Sequence, residues 1–329
     1  GIDMVHRVEY VKAHDGDCSE LTKVLRYTIN KLLAELCQRL DINTEHIYNV
    51  QFAGNPQMTH LLFGITPLSS DGAPVFLKLQ PQNAVDIGIN VNRMAQVCAA
   101  EAFSGEFGGD TAVIAGNAED HTLIVDLGVD TDLILKLNGA VKMQKLSTPV
   151  FDGMCLHQGM INGSGSVQGM YFDEQSQNAF TNTYDMFSAK GISGSGFCKL
   201  YRDMKNLGYL TDDNKFAPEA MPEFLAGKLK DTLFGKQLVI FGGGFMSVAV
   251  TEKDIEIYLK AVGELRDTIA EFIGETEVKK VIITGSAGAE WDLSAVEAIG
   301  FLPRSINWDK VEFVAELALK GVVKRLLQG

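Results

Sequence analysis

The sequence predicts an α/β fold, and two observations carry this prediction. Three apolar strand patterns follow one another over residues 121–146, and later in the chain strands alternate with amphipathic helices. A meander followed by alternating strands and helices is typical of the α/β class. At 329 residues the chain is long enough for two domains with buried cores.

The first elements follow from capping signals and from the spacing of apolar residues. Residues 17–20 have the spacing of a capping box, and apolar residues recur at helical intervals over 21–40, which predicts an amphipathic helix of about six turns. A strand over 47–52 then leads into Gly-Asn-Pro at 54–56. Here Asn is suited to cap, and Pro to open, a helix over 58–63.

The middle of the chain contains a weakly patterned stretch and then a clear meander. Prolines and glycines interrupt the weak stretch, where a helix is expected only near residues 92–103. Apolar strands are predicted over 121–125 and 133–137, on either side of an acidic turn, with a third strand over 141–146.

The remaining elements alternate between helices and strands. Glycine-rich residues 191–196 open a helix that Gly208 is placed to end, and Thr251 is placed to cap a long helix. The predicted order is a helix through 207, a helix over 251–273, a strand over 278–283, a turn at 285–288 and helices over 293–299 and 311–327.

Charge and composition argue against several classes of partner. The formal net charge is −13 and no long Lys/Arg run occurs, so no nucleic-acid partner is expected. No apolar stretch has the length of a membrane span and no basic, apolar leader opens the sequence, so we expect no membrane attachment and a cytoplasmic location. Five widely separated cysteines lack zinc or iron–sulfur ligand spacing, and we interpret them as reduced thiols.

Glycine-containing turns are the candidates for chemistry, because the common nucleotide motifs are absent. No G-x-x-x-x-G-K-[ST] loop occurs, and the glycines of 163–169 have the wrong spacing for G-x-G-x-x-G. The turn at 126–131 offers backbone N–H groups and a carboxylate for a phosphate and its magnesium, or it is an ordinary β-turn. The turn at 285–288 suits a flat ring and an anion, or it is a plain connection. Residues 194–196 either contact a ligand or only start a helix.

Histidines and serines give no signal for a metal or hydrolase site. His60 falls in the predicted helix over 58–63, and we interpret it as a packing histidine rather than a ligand. No His/Asp/Glu cluster has metal-ligand spacing. Ser164, Ser193 and Ser195 lie in glycine-rich turns without the G-x-S-x-G pattern, which argues against a serine hydrolase.

Collinear segments resemble one known family along most of the chain. Residues 1–8 are similar to its G-A-D-V-I-S-R-I, and residues 54–64 to its G-N-T-T-M-x-H-L-L-x-G. The acidic turn at 125–132 stands where the family has I-D-I-G-T-N-G-E. Further similar segments are found at 107–110, 148–153, 193–196, 251–255 and 283–288. The chain thus resembles the C-terminal ATPase region of the ATP-dependent reductive activators of corrinoid proteins.

The resemblance implies a fold, a cofactor and a reaction. The fold is an actin-like, ribonuclease H-like ATPase of two lobes, expected over 1–106 and 107–329 with the C-terminal helix crossing back, and with the nucleotide in the cleft. ATP with Mg²⁺ would drive the reduction of cobalt(II) to cobalt(I) in a corrinoid. The electron would come from a [2Fe–2S] module which, like a first phosphate hairpin of D-I-G-T-T type, is expected upstream of this chain.

The family's motifs assign roles to individual residues. Asp126 is expected to hold magnesium through water or to orient the attacking water. Gly285 is expected to leave room for the adenosine ring because it has no Cβ. The residues implied in nucleotide binding are Gly128, Asp130 and Thr131 at the phosphates, Gly194, Ser195 and Gly196 at a helix start, and Gly285, Ser286 and Gly288 at the adenosine side.

Departures from the family pattern leave three functions open. The hairpin's Thr-Asn-Gly-Glu becomes Val-Asp-Thr-Asp at 129–132, and two glycines of the adenosine loop become Ser286 and Ala287. Besides a reductive activator, the candidates are a scaffold that docks a corrinoid protein or methyltransferase without ATP turnover, and a small-molecule kinase for which no catalytic base is evident. The implied partner is a corrinoid protein or corrinoid-dependent methyltransferase, and pairing as a homodimer stays open.

Overall fold

The computed structural model describes residues 4–69, 75–173, 178–185, 188–243, 246–285 and 291–328. Its internal contacts divide the chain into two units, one made of Gly1–Ala118 with Leu317–Gly329 and the other of Glu119–Glu316. In sequence, the second unit is therefore inserted between two segments of the first. The lobes predicted over 1–106 and 107–329 stay a prediction.

The first unit begins with two helices and a strand-turn-helix motif. Its N-terminal elements are α1 (Met4–Ala13), α2 (Ser19–Leu40), β1 (Asn49–Phe52) and α3 (Pro56–Leu62). The predicted six-turn helix is confirmed by α2, which has 22 residues. The predicted cap of α3 is also confirmed, since the Asn55 side chain accepts the Met58 N–H at 2.9 Å and Pro56 lies in the first turn.

The predicted capping box at residues 17–20 is wrong. The residue that precedes α2 is Cys18, whose side chain makes no capping hydrogen bond. Instead, the Asp17 carboxylate accepts the Ser19 N–H at 2.8 Å and the Ser19 hydroxyl at 3.1 Å. A local bond between side chain and backbone thus takes the place of the reciprocal box.

A strand occupies the region near residues 92–103, where a helix is predicted. This strand is β3 (Gln96–Ala99). It follows β2 (Gln82–Asn83) and precedes α4 (Gly109–Asn117) in the chain. β3 lies parallel to β1 and antiparallel to β2. The helix prediction is wrong because this stretch supplies the backbone partners of β1, including an Ala100 N–H bond to the Phe52 carbonyl at 2.7 Å, and pairing outweighs local preference.

The second unit combines sheets and helices. In chain order, its described elements are β4 (Thr122–Asp126), β5 (Asp130–Leu137), β6 (Ala140–Ser147), β7 (Ser166–Asp173), β8 (Asn178–Thr183), β9 (Gly191–Ile192), α5 (Gly194–Asn206), α6 (Glu223–Ala226), β10 (Leu229–Thr232), β11 (Gly235–Gly243), β12 (Met246–Thr251), α7 (Glu252–Ile273), β13 (Lys280–Thr284), α8 (Leu293–Ile299) and β14 (Val311–Phe313). One mixed sheet has the spatial order β14-β13-β4-β5-β6, and the smaller sheets are β8-β7-β9 and β10-β11-β12. The predicted meander is confirmed as β4–β5–β6.

The long helix α7 has its predicted cap and ties the core to the start of α5. The Thr251 hydroxyl accepts the Asp254 N–H at 3.1 Å, and the Asp254 carboxylate accepts the Thr251 N–H at 2.7 Å. The fully buried Tyr258 ring packs edge-on against Phe151, with ring centroids 5.7 Å apart. Its hydroxyl donates to the Gly194 carbonyl at 2.9 Å.

The helix predicted over 311–327 is wrong in its first part. Val311–Phe313 form β14, which lies parallel to β13. Within this pair, the Lys280 ammonium lies 2.9 Å from the Glu312 carboxylate. The strand forms here because these residues satisfy backbone groups along one side of β13.

The C-terminal helix α9 (Leu317–Gln328) belongs to the first unit, where it packs on α4. A Cβ on Gly321 would overlap the Val113 side chain, so glycine permits the close approach of the two helices. Buried Val113 and Val322 form a small apolar cluster with Ala100. No helix in the described part of the chain is long and apolar enough to cross a bilayer.

Replacing Thr251 with Ala is expected to lower the free energy of unfolding by about 1–2 kcal/mol, since this buried cap holds the first turn of α7. Urea unfolding should show a lower midpoint at an unchanged slope. Thr268→Ala in the same helix is the control, because the Thr268 hydroxyl only bonds the Glu264 carbonyl and Ala favours helix. Equal losses in the two variants would contradict the role of the cap.

Candidate functional site

The turn between β4 and β5 contains the residues predicted to contact phosphate. Asp126 ends β4 and is partly exposed, Gly128 is buried within the turn, and Asp130 begins β5. On one side, the Leu127 N–H donates to the Thr284 carbonyl of β13 at 2.8 Å. The turn is therefore anchored to the neighbouring parallel strand as well as to its own hairpin.

Thr148 holds the turn from the other side. Its backbone N–H donates to the Val129 carbonyl at 2.8 Å, and its hydroxyl donates to the Gly128 carbonyl at 3.2 Å. The Thr131 hydroxyl lies 2.6 Å from the Thr148 hydroxyl and is the donor of that bond, since the Thr148 hydrogen is already used. Thr131 is completely buried. A contact between the Thr131 hydroxyl and a phosphate stays a prediction. To donate to phosphate, this hydroxyl would have to give up its hydrogen bond to Thr148.

A row of charged side chains crosses the hairpin next to the turn. Asp126 of β4 lies directly opposite Asp132 of β5, and Asp132 lies directly opposite Lys145 of β6, so all three share one face of the sheet. The Lys145 ammonium is 2.6 Å from Asp132 Oδ1, and these side chains are only 28% and 13% exposed. Like charges directly opposite each other destabilise a sheet, and Lys145 offsets one of the two. The sequence prediction includes Asp126 but not Asp132 or Lys145.

Asp152 is a second carboxyl at this turn that the sequence prediction omits. It ends a short 3-10 helix, Pro149–Asp152, and only 5% of it is exposed. Burial raises the pKa of Asp152 from its ordinary 3.8, and a hydrogen bond from the Val129 N–H partly opposes that shift. Its Oδ1 has no hydrogen-bond partner among the described residues. The family sequence F-E-G, which aligns with residues 151–153, was the signal from which Asp152 could have been included among the site residues.

The start of α5 is packed onto the same short helix. Ser193 caps α5 by accepting the Gly196 N–H at 3.1 Å. A Cβ on Gly194 would overlap the Phe151 carbonyl, and one on Gly196 would overlap the Val167 carbonyl. Packing alone thus requires both glycines. Ser195 is buried, and nucleotide contacts at 194–196 stay a prediction.

Gly285 follows β13 and lies against the turn. Its φ is +124°, a conformation that residues with a Cβ rarely adopt, and a Cβ there would overlap the Leu127 carbonyl. The expectation that the missing Cβ leaves room for adenosine is corrected, because the Leu127 backbone occupies that space. Ser286 and Gly288 lie outside the described residues. Nucleotide contact by Gly285 itself stays a prediction.

The structure thus brings together three separately predicted segments. Gly285 contacts the turn at Leu127, Thr148 binds the other side of the turn, and Phe151 contacts the start of α5 at Gly194. This end of the sheet exposes a carboxylate next to a backbone turn, an arrangement suited to a phosphate with a hydrated cation.

Comparison with known proteins identifies the family. The family model described as the RACo middle region matches residues 1–120, and the one described as the C-terminal, ASKHA domain of RACo matches residues 120–329. The chain belongs to the RACo family. The predicted resemblance to reductive activators of corrinoid proteins is confirmed, and with it the actin-like α/β fold of the ASKHA domain.

Individual RACo relatives extend well beyond this chain. The corrinoid activation enzyme RamQ of Eubacterium limosum is 22% identical over 331 residues, which cover 92% of this chain and 54% of RamQ. A solved reductive activator for corrinoid, iron-sulfur protein has a TM-score of 0.80 and 24% identity, and the match covers 99% of this chain and 54% of that protein. The chain spans about half the length of these relatives.

Replacing Gly285 with Ala is expected to destabilise this RACo chain by about 2–5 kcal/mol, since strain at positive φ adds to overlap with Leu127. The matched control is Gly139→Ala in the β5–β6 turn, where φ is +79° but no atom lies within 4 Å of the added Cβ. Strain alone should cost about 1–2 kcal/mol there. Urea unfolding measures both, and equal losses would show that the contact with Leu127 is unimportant.

Replacing Asp152 with Asn is expected to stabilise the chain near neutral pH. As pH rises through 3.8, the unfolded chain loses the Asp152 proton while the folded chain keeps it, so wild type loses stability up to the raised folded pKa. The variant lacks this loss. Its melting temperature should exceed that of wild type by about 2 °C or more at pH 7.5, with a smaller gain at pH 4. A pH-independent difference would rule out a buried charge as the cause.

Proposed function

We propose that this chain is the ATP-binding core of a reductive activator that restores cobalt(I) in a corrinoid protein of a methyltransferase system. The charged row at the β4–β5 hairpin carries the proposal. Asp126 and Asp132 place two carboxylates directly opposite each other beside the turn, and Lys145 pairs with Asp132, so this row offers carboxylate oxygens where a divalent cation can bind. Membership of the RACo family, with its ASKHA domain, supports a nucleotide as the ligand.

Magnesium fits the donors found here. Mg²⁺ keeps several waters and is usually bound through one or two carboxylates together with the substrate's phosphates. When bound, the ion would neutralise phosphate charge and polarise the transferred group. Asp126 would hold it through water, while Gly128, Asp130 and Thr131 would face the phosphates.

The other predicted contacts complete the assignment. The first turn of α5, at Gly194, Ser195 and Gly196, would favour an anion through its N-terminal partial charge. Gly285, with Ser286 and Gly288, would lie on the adenosine side. Asp152 would act on this site only indirectly, by holding the Val129 N–H of the turn.

The reaction needs one electron for each cobalt. ATP and water would give ADP and phosphate, while cobalt(II) takes up one electron to become cobalt(I). We place the [2Fe–2S] donor outside this chain. Three cysteines of the chain, Cys18, Cys37 and Cys198, are buried and far apart in sequence, unlike a set of cluster ligands. Burial also raises the pKa of Cys198 to about 12, which keeps it a protonated thiol. The partner would be a corrinoid protein or its methyltransferase.

Titration calorimetry of the chain with ATP tests the nucleotide site. We expect wild type to bind ATP weakly and to hydrolyse it slowly. In Asp126→Asn, affinity for ATP with Mg²⁺ should fall at least about tenfold, equivalent to about 1.4 kcal/mol. Binding of ATP without Mg²⁺ should not fall, because the substitution removes a negative charge near the phosphates.

Asp231→Asn is the control for this experiment. Asp231 is a carboxylate in the β10–β11 hairpin that pairs with Lys236 at 3.1 Å and is 90% exposed. This variant should bind ATP with Mg²⁺ as wild type does. The proposal fails if wild type binds no ATP in the millimolar range, or if the two variants lose the same affinity.

A further inference from the structure

The first unit contains a cavity that the proposed ATP site does not use. Its volume is about 160 Å³, and it lies beside α3, β3 and α9. Thr59 and His60 of α3 form one wall, and Arg325 of α9 lines another part. A wider depression of about 660 Å³ adjoins it and shares Glu101, Ala102 and Arg325 with it.

His60 forms part of the cavity wall as a neutral ring. The residue is only 1% exposed, and its Nε2 accepts the Leu77 N–H at 3.1 Å, so the ring proton must be on Nδ1. Burial lowers the pKa of His60, and the Pro56 carbonyl opposes this only in part, which keeps the ring neutral. Nδ1 makes no hydrogen bond of standard geometry to any described residue. The Nδ1 proton is directed at the Pro56 carbonyl of the same helix, so the His60 ring offers the cavity no free donor.

Arg325 gives the cavity a net positive charge. The other charged groups that line it, Lys78 and Glu101, pair with each other at 3.0 Å. Arg325 is exposed and forms no ion pair with any residue in the described ranges. Thr59 offers no donor, because its hydroxyl hydrogen is bound to the Asn55 carbonyl at 2.9 Å. An anionic group therefore has one favourable position in this cavity, at the guanidinium.

The remaining walls are apolar and partly open. Phe76 and Leu77 are 39% and 47% exposed, and Pro56, Leu79 and Ala100 also line the space. An apolar cavity of about 150 Å³ is large enough to hold benzene. The ligand that matches both parts of the lining has an apolar body of that size and one negative charge.

We propose that this cavity binds a small organic carboxylate with an apolar body about the size of a benzene ring. Its charged group would meet Arg325, and its apolar body would pack on walls that include Phe76 and Leu79. The proposal is independent of the ATP site, since every lining residue belongs to the first unit.

Calorimetry on the whole chain, with benzoate as the probe and benzamide as its uncharged counterpart, tests the proposal. Benzoate should bind with a dissociation constant of the order of 1 mM, and benzamide at least about tenfold more weakly. Arg325→Gln should weaken benzoate at least about tenfold and leave benzamide unchanged. The matched control is Lys324→Gln, an exposed neighbour on α9 that does not line the cavity and should bind benzoate as wild type does.

The proposal is overturned if wild type does not bind benzoate at about 20 mM or if benzamide binds as tightly as benzoate. It is also overturned if Arg325→Gln and Lys324→Gln have the same affinity for benzoate.

Discussion

Thr148 and the residues that follow it determine the geometry at the end of the second unit that contains the β4–β5 turn. Thr148 binds the β4–β5 turn through both its backbone and its hydroxyl, and three residues later the Phe151 carbonyl contacts Gly194 at the start of α5. One short segment thus sets the separation between a turn and a helix N-terminus. Because a packed interior has few voids, a displacement of the turn must be accommodated by α5 or by β13.

Several features that lower stability occur together at this end of the sheet. Asp126 and Asp132 are opposed like charges, Asp152 has a buried carboxyl oxygen without a described partner, and Gly285 has a backbone conformation that is costly for other residues. Natural proteins tolerate such features mainly where function requires them. Their concentration here, beside the well-packed aromatic cluster of Phe151, Phe197 and Tyr258, agrees with the binding role proposed for the turn.

The sequence alone predicts the parts of this site that depend on local order. Two short apolar runs on either side of an acidic turn are enough to predict the β4–β5 hairpin and the position of Asp126 in it. Lys145 and Asp152 are brought to the turn by strand pairing and packing, so the residues of the turn do not indicate them, and only the family's F-E-G, aligned with residues 151–153, gives a signal for Asp152. The same cause explains β3, where pairing with β1 replaces a predicted helix. The positive φ of Gly285 and its close contact with the Leu127 backbone follow from tertiary packing that no local pattern indicates, and its contact with a nucleotide stays a prediction.

The packing of α9 on α4 has a consequence for the order of folding during synthesis. The ribosome makes residues 119–316 before the α9 residues, so the second unit has all of its chain while the first unit still lacks Gly321 and Val322. Until then Val113 lacks its α9 neighbours. Domains usually complete their folding from the N-terminus onward as they emerge. Here that order is reversed, and closure of the first unit is a late event that involves both ends of the inserted segment.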